Sequence, residues 1–180
     1  MAIAEYAVFM GCMIPSLQPF VEAATRKVLK ELDVALHDLK GETCCPVPEA
    51  PRALDYKTWF TIAGRNLALA EQMSLDIVTI CSGCYDTLEE ANNTLRENKE
   101  LRDTVNEELA SLGLQFQGKI HVQNIIEVLH DVVGTKRIRE SATKPLTGIR
   151  VCPQVGCRLY KSEEKLNLPR KFRAIGEVIG

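Results

Sequence analysis

Apolar runs of strand length alternate with stretches in which apolar residues recur every three or four positions, a pattern that predicts a βαβ architecture rather than a helical bundle. The run from Tyr6 to Met10 reads as a buried strand ending in Gly11-Cys12. After Pro19, the stride Phe20, Ala24, Val28, Leu32 lines one face of a predicted helix. Val34 to Leu39 alternates like a strand, and the polar turn Lys40-Gly41-Glu42-Thr43 delivers Cys44-Cys45. The piece from Pro46 to Pro51 cannot be helix interior, because proline lacks the backbone donor a helix needs, and it reads as a loop. A second amphipathic helix places Trp59, Ile62, Ala63, Asn66, Leu67, Ala70 and Met73 on one side. Asp76 to Ile80 is a short strand running directly into Cys81-Ser82-Gly83-Cys84. Asp86 to Leu112 reads as two charged helices with Gly113 as a C-terminal stop. Ile120 to Val122 and Ile149 to Val151 read as further strands, separated by a short helix near Ile125 to Val133.

The expected fold class is α/β, three-layered, with a mostly parallel sheet. Ligand sites in open sheets of this kind form beyond the carboxyl ends of the strands. The cysteine motifs sit there: Cys12 after the first strand, Cys44-Cys45 after the second, Cys81 and Cys84 after the third, Cys157 after the last. A weak internal repeat lays Val8 to Ile14 on Pro153 to Leu159, matching Gly11-Cys12 with Gly156-Cys157. The expected organisation is a cysteine-rich, cluster-binding domain over 1–146 and the start of a second, truncated one over 147–180. No second Cys-Cys pair or Cys-x-x-Cys follows Cys157 before Gly180.

Composition narrows the function classes. At 180 residues and 46% hydrophobic, the chain can build its own core. Its net charge of -2, with both signs interspersed, lacks the basic footprint of a nucleic-acid binder. The first residues carry no positively charged leader, and no segment reaches the roughly 18 apolar residues of a membrane span, so a cytoplasmic setting is expected. Seven cysteines, an odd number, in a reducing compartment argue against structural disulfides.

The remaining chemistry lies in the spacing: Cys12, 31 residues, Cys44-Cys45, 35 residues, Cys81-x-x-Cys84. A Cys-x-x-Cys turn lets two sulfurs approach one metal centre, with Gly83 allowing the backbone to close around it. Adjacent cysteines diverge too far to chelate one ion side by side but can grip two irons of one cluster. Five thiolates also exceed the four that tetrahedral zinc or a cubane takes. On the residues alone three readings stand: an iron-sulfur cluster on all five, a structural zinc on four of them, or free redox thiols.

The flanks of these cysteines resemble the B-type chain of heterodisulfide reductase, a cysteine-rich (CCG-domain) family whose motif runs Cys, thirty-odd residues, Cys-Cys, thirty-odd residues, Cys-x-x-Cys. The likeness lies in Phe9-Met10-Gly11-Cys12-Met13-Ile14-Pro15, Cys44-Cys45-Pro46-Val47-Pro48, Lys57-Thr58-Trp59 with Ala63-x-Arg65-Asn66-Leu67, and Cys81-Ser82-Gly83-Cys84-Tyr85. It covers the chain from about Ala4 to its end. The resemblance implies a non-cubane 4Fe-4S cluster on Cys12, Cys44, Cys45, Cys81 and Cys84, with Cys157 the first ligand of an incomplete second site. It also implies a cluster-based oxidoreductase of methanogenesis that reduces the coenzyme M-coenzyme B heterodisulfide. Its electrons would come from the C-type and A-type partner proteins of heterodisulfide reductase. The expected alternatives are a related electron-transfer component of a quinone-linked or thiol:fumarate enzyme, and a zinc-stabilised interaction module.

Other residues read as structural. Cys152 is expected to be a small buried hydrophobe. His37, His121 and His130 lack metal-ligand spacing. Lys136-Arg137-Ile138-Arg139 with Lys144 reads as a solvated helix end, Glu89-Glu90 and Glu107-Glu108 as exposed faces, and Trp59 as core.

Overall fold

The first apolar run becomes strand β1 (Ala4–Phe9), in which Tyr6, Ala7, Val8 and Phe9 are all buried. The computed structural model describes residues 3–47, 53, 55–144, 148–152 and 168–179. Burial on both faces is expected of a central strand in a covered parallel sheet, and β1 occupies that place. It pairs on one side with β2 (Val34–Asp38), Ala4 opposite Val34, and on the other with β3 (Ile77–Thr79), Phe9 opposite Thr79. β4 (Val122–Asn124) adds beyond β3, so the sheet is all-parallel in the order β2-β1-β3-β4.

Alternation along β1 divides the core into two layers, which with the sheet between them makes the expected α/β sandwich. Ala7 and Phe9 face the layer built from α3 (Tyr56–Met73), α4 (Ser82–Glu97) and α5 (Lys99–Ala110), where Trp59, Phe60, Leu67 and Leu88 are sealed from solvent. Tyr6 and Val8 face α2 (Pro19–Glu31) and a helical stretch formed by α6 (Ile125–Glu127) and its π-helical continuation Val128–Val133. Trp59 is core, edge-on to Phe60 with ring centroids 4.8 Å apart. Gly113, at φ +66, follows α5 and donates its N–H to the Ala110 carbonyl. A short α1 (Met13–Leu17) and α8 (Leu168–Ile179) have no counterpart in the predicted elements, while the basic stretch from Lys136 to Arg139 lies in α7 (Thr135–Ser141).

Three expectations are corrected. The face of α2 that meets the sheet carries Leu29, with Leu32 just past its end, whereas Phe20 is 70% exposed and Val28 is also exposed. A strict every-fourth-residue stride drifts about 40° per step on a helix of 3.6 residues per turn, so Phe20 lies roughly 180° from the Leu29 position. Ile149 and Val151 are exposed and form no strand. The fourth strand starts at Val122, two residues later than predicted, because the segment before it is tied into a turn: both Glu71 carboxylate oxygens accept from the Gln117 and Lys119 N–H groups. Among the described residues no helix is long and apolar enough to cross a membrane.

The reassigned α2 face has a measurable consequence. Leu29→Ala should cost about 2–5 kcal/mol in chemical unfolding, the range for a fully buried leucine, while Phe20→Ser should stay within about 0.5 kcal/mol as a surface change. Equal losses would contradict the assignment.

Candidate metal centre

Three cysteine-bearing turns leave the same edge of the sheet. Because Phe9 lies level with Thr79, the chain emerges from the neighbouring strands β1 and β3 at one height. The path runs outward from β1 to β2 and returns across β1 to β3, so the crevice between β1 and β3 is the topological switch point, where open α/β sheets hold ligands. Gly11 takes φ +68, a left-handed conformation that a side chain would strain. A Cβ there would also lie 2.7 Å from the Cys84 sulfur. Glycine therefore lets the turn carrying Cys12 close onto the turn carrying Cys84.

Cys44 and Cys45 lie in an irregular segment beyond β2 that is held by side chains. Asn66 of α3 is fully buried; its Oδ1 accepts from the Thr43 N–H at 3.0 Å and its Nδ2 donates to the Cys44 carbonyl at 3.2 Å. Arg65 donates to the Gly41 carbonyl at 2.8 Å, and Thr87 of α4 donates to the Pro46 carbonyl at 3.1 Å. The Glu42 carboxylate accepts from the Met10 N–H, which ties this segment to the end of β1, while burial pushes its carboxyl up to about 7. The sequence pattern gives Asn66 only a place on an apolar helix face. A polar residue in an apolar phase is the signal for such a clamp, since a buried amide needs partners.

The thiols bias one another's ionisation pairwise: Cys12 with Cys44, Cys44 with Cys45, Cys45 with Cys84, and Cys84 with Cys81. Cys12 and Cys44 are exposed, Cys81 is half-buried, and Cys45 and Cys84 are buried. Cys152 is exposed, which corrects its reading as a small buried hydrophobe; Cys157 lies outside the described residues. All six described cysteines are free thiols.

Their ionisation divides unevenly. Cys81 is lowered to about 6 by the Cys84 thiol and by the backbone N–H groups of Cys84 and Gly83 at the start of α4, against the cost of burial. Cys45 is also lowered, first by its contact with Cys84. Cys84 is strongly raised, because it donates to Cys45 and Cys81 and would otherwise be a third negative charge in a buried space. Cys44 is raised by burial and by its Cys45 and Cys12 neighbours. Ionisation within the group is therefore favoured at Cys81 and Cys45 over Cys84 and Cys44.

The donor chemistry fits a thiophilic metal group. The five cysteines come from three turns at one sheet edge, although among the described residues no group of three or more His, Cys, Asp or Glu side chains is already arranged to hold a metal ion. The space beside the Cys84 sulfur is kept free of a Cβ by Gly11. The buried Thr79 hydroxyl, two residues before Cys81, has no hydrogen-bond partner among the described residues.

Comparison with known proteins gives concordant results. The cysteine-rich domain designated CCG matches residues 6–89, which include all five of these cysteines. The chain is 36% identical over 164 residues to the B-type chain of the ferredoxin:CoB-CoM heterodisulfide reductase of Methanosarcina mazei, covering 91% of this chain and 54% of that protein. It is 35% identical over 184 residues to a protein of Archaeoglobus profundus described as like the B-type chain of heterodisulfide reductase, covering 98% and 61%. It is 28% identical over 181 residues to the membrane anchor component of the 8-methylmenaquinol:fumarate reductase of Wolinella succinogenes, covering 98% and 62%. The chain thus spans between about half and three-fifths of the length of these relatives.

The uneven ionisation can be read by pulse alkylation of the metal-free, reduced chain. Cys81 should react with iodoacetamide with a midpoint near pH 6, well below the free-thiol value of about 8.5. The sign follows from a depressed pKa: the reactive thiolate is present above that pH and lost as pH falls through it. A Cys81 midpoint in the ordinary range would show that neither Cys84 nor the helix N–H groups support the anion.

Proposed function

We propose that this chain, whose residues 6–89 match the CCG cysteine-rich domain and which is 35–36% identical to B-type and B-like chains of heterodisulfide reductase, is the cluster-bearing component of a disulfide-reducing complex. Cys12, Cys44, Cys45, Cys81 and Cys84 hold one non-cubane 4Fe-4S cluster. What supports this reading is the placement of the five cysteines on turns after three neighbouring parallel strands, with the Gly11 turn closing onto the Cys84 sulfur. Five sulfur donors exceed the needs of zinc or of a cubane, each satisfied by four.

When bound, the cluster supplies iron sites and electrons for cleaving a disulfide, which takes two electrons and two protons to give two thiols. The chain's own residues prepare that site. The Gly83 and Cys84 N–H groups stabilise Cys81 as a thiolate before metal arrives, so less proton release is needed there. Cys84 keeps its proton until a cation compensates the charge. Asn66 and Thr87 grip the backbone on either side of the Cys44-Cys45 pair, so that its two diverging thiols are presented together.

The substrate is the heterodisulfide of coenzyme M and coenzyme B, and electrons arrive through heterodisulfide reductase partners of the C and A types. Residues 147–180 begin a second cysteine-rich unit with Cys157 as its first ligand. The likeness to the Wolinella protein favours one rival, a component of the same build passing electrons between a quinol and another acceptor. Assay of the purified complex separates them: reduction of the heterodisulfide by reduced viologen is expected, and inactivity with that substrate but turnover with quinol would replace the reaction assignment.

Metal content tests the site itself. Anaerobically purified chain should contain iron and acid-labile sulfide; Cys44→Ser and Cys81→Ser should lose both with their visible absorbance, and Cys152→Ser should match wild type. Stoichiometric zinc without sulfide, or unchanged absorbance in the first two variants, would overturn the ligand set.

A further inference from the structure

Strand β3 reads Ile77-Val78-Thr79, and all three residues are buried. A strand covered on both faces is ordinarily apolar throughout, so Thr79, at 0% exposure, is the exception. Valine would fill nearly the same space without a hydroxyl. Burial strips a hydroxyl of its bonds to water, which is destabilising unless a partner replaces them. Thr79 Oγ1 has no such partner among the described residues. Asn92 Oδ1 is likewise unpartnered, but its amide donates to the Ile120 carbonyl at 3.0 Å, whereas Thr79 has no second polar side-chain atom. Buried polar groups are nearly always paired, which points to an acceptor supplied by a group the site binds.

The position of Thr79 selects that acceptor. Side chains alternate across a strand; Ile77 packs in the layer of α3 and α4 and Val78 in the opposite layer, so Thr79 faces α3 and α4. Cys45 and Cys84 are buried in that same layer, and Cys81 packs against it. Thr79 lies level with Phe9 of β1, and neighbouring strands run about 4.8 Å apart. A Cβ placed on Gly11 would stand 3.8 Å from the Phe9 ring and 2.7 Å from the Cys84 sulfur. The hydroxyl therefore borders the space where the Gly11 and Cys84 turns meet, at the crevice between β1 and β3. No described cysteine sulfur is its partner, so the acceptor that remains at this place is an inorganic sulfide.

Resting on the proposed cluster, we propose that Thr79 is a tuning residue of this centre: its buried hydroxyl donates a hydrogen bond to a sulfide of the bound cluster. Thr79 supplies no metal ligand. Hydrogen bonds to charged acceptors are the stronger kind, and those to cluster sulfurs are among the determinants of the reduction potential. Drawing charge off the sulfide eases reduction, so an apolar residue at this place leaves the cluster harder to reduce.

The test compares Thr79→Val, which keeps the shape and deletes the hydroxyl, with Thr79→Ser, which keeps the hydroxyl. Each 180-residue chain is reconstituted anaerobically with iron and sulfide, checked for iron content, and titrated with redox dyes followed by electron paramagnetic resonance and absorbance. Thermal melting is recorded with and without the cluster. Metal-free Thr79→Val should melt at or above wild type, because no bond within the chain is lost. Loaded Thr79→Val should shift the midpoint to more negative potential with a changed spectrum, and Thr79→Ser should restore both. Loss of iron by Thr79→Val while Thr79→Ser keeps it would also support the bond. A wild-type potential and spectrum in loaded Thr79→Val, or an equal shift in Thr79→Ser, would overturn it. So would a metal-free Thr79→Val that melts well below wild type, since the hydroxyl would then have a partner within the chain. A wild-type chain that takes up no iron would instead remove the cluster reading on which the proposal rests.

Discussion

The parallel register of β1 with both β2 and β3 is the constraint on which the site depends. Parallel strands deliver their carboxyl ends to one edge, and the reversal of strand order opens a crevice between β1 and β3 at that edge. Residues separated by more than thirty positions thereby become neighbours without any local motif connecting them. The helices on each face keep the sheet buried and leave only the turns beyond the strand ends to carry chemistry. Gly11 shows how closely those turns approach, since a single Cβ would meet a sulfur of another turn at 2.7 Å.

Bringing thiols together in a partly desolvated space has an electrostatic consequence. Like charges at short range cannot all develop, so protons are shared unequally, with Cys81 and Cys45 favoured as anions and Cys84 and Cys44 held back. A cationic metal group reverses that balance, because it compensates the very charges that repel one another. Under the proposed cluster, loading would release the protons held back at Cys84 and Cys44, so assembly should be coupled to pH. The surrounding polar side chains act through the backbone, where Asn66, Arg65 and Thr87 restrain a segment that has no regular secondary structure of its own.

Much of this fold is legible in the sequence because strand and helix periods are distinct. The runs at Tyr6, Val34 and Asp76 and the apolar face around Trp59 and Leu67 lead directly to β1, β2, β3 and α3. Errors arise where local pattern competes with context. Phe20 looks like the start of an apolar stripe, yet that stripe winds around the helix and leaves it exposed, opposite Leu29. Ile149 and Val151 have strand-like residues but are exposed and pair with no strand among the described residues. Cys152 shares their exposure, whatever its type prefers. At the candidate site, cysteine identity and spacing are visible in the chain, while the residues that hold the cysteines are not. Asn66 hides within an amphipathic helix and Thr87 within a charged one, because hydrogen bonds to a loop more than twenty residues away leave no periodic trace.

Whether five sulfurs from three turns surround one iron-sulfur core is tested most directly by an anaerobic crystal structure of the loaded chain, with anomalous data collected on both sides of the iron edge. Iron peaks are expected in the crevice between β1 and β3, within bonding distance of the sulfurs of Cys12, Cys44, Cys45, Cys81 and Cys84. A lone metal bound by only four of them, or a crevice with no iron while those sulfurs point apart, would contradict the five-sulfur centre.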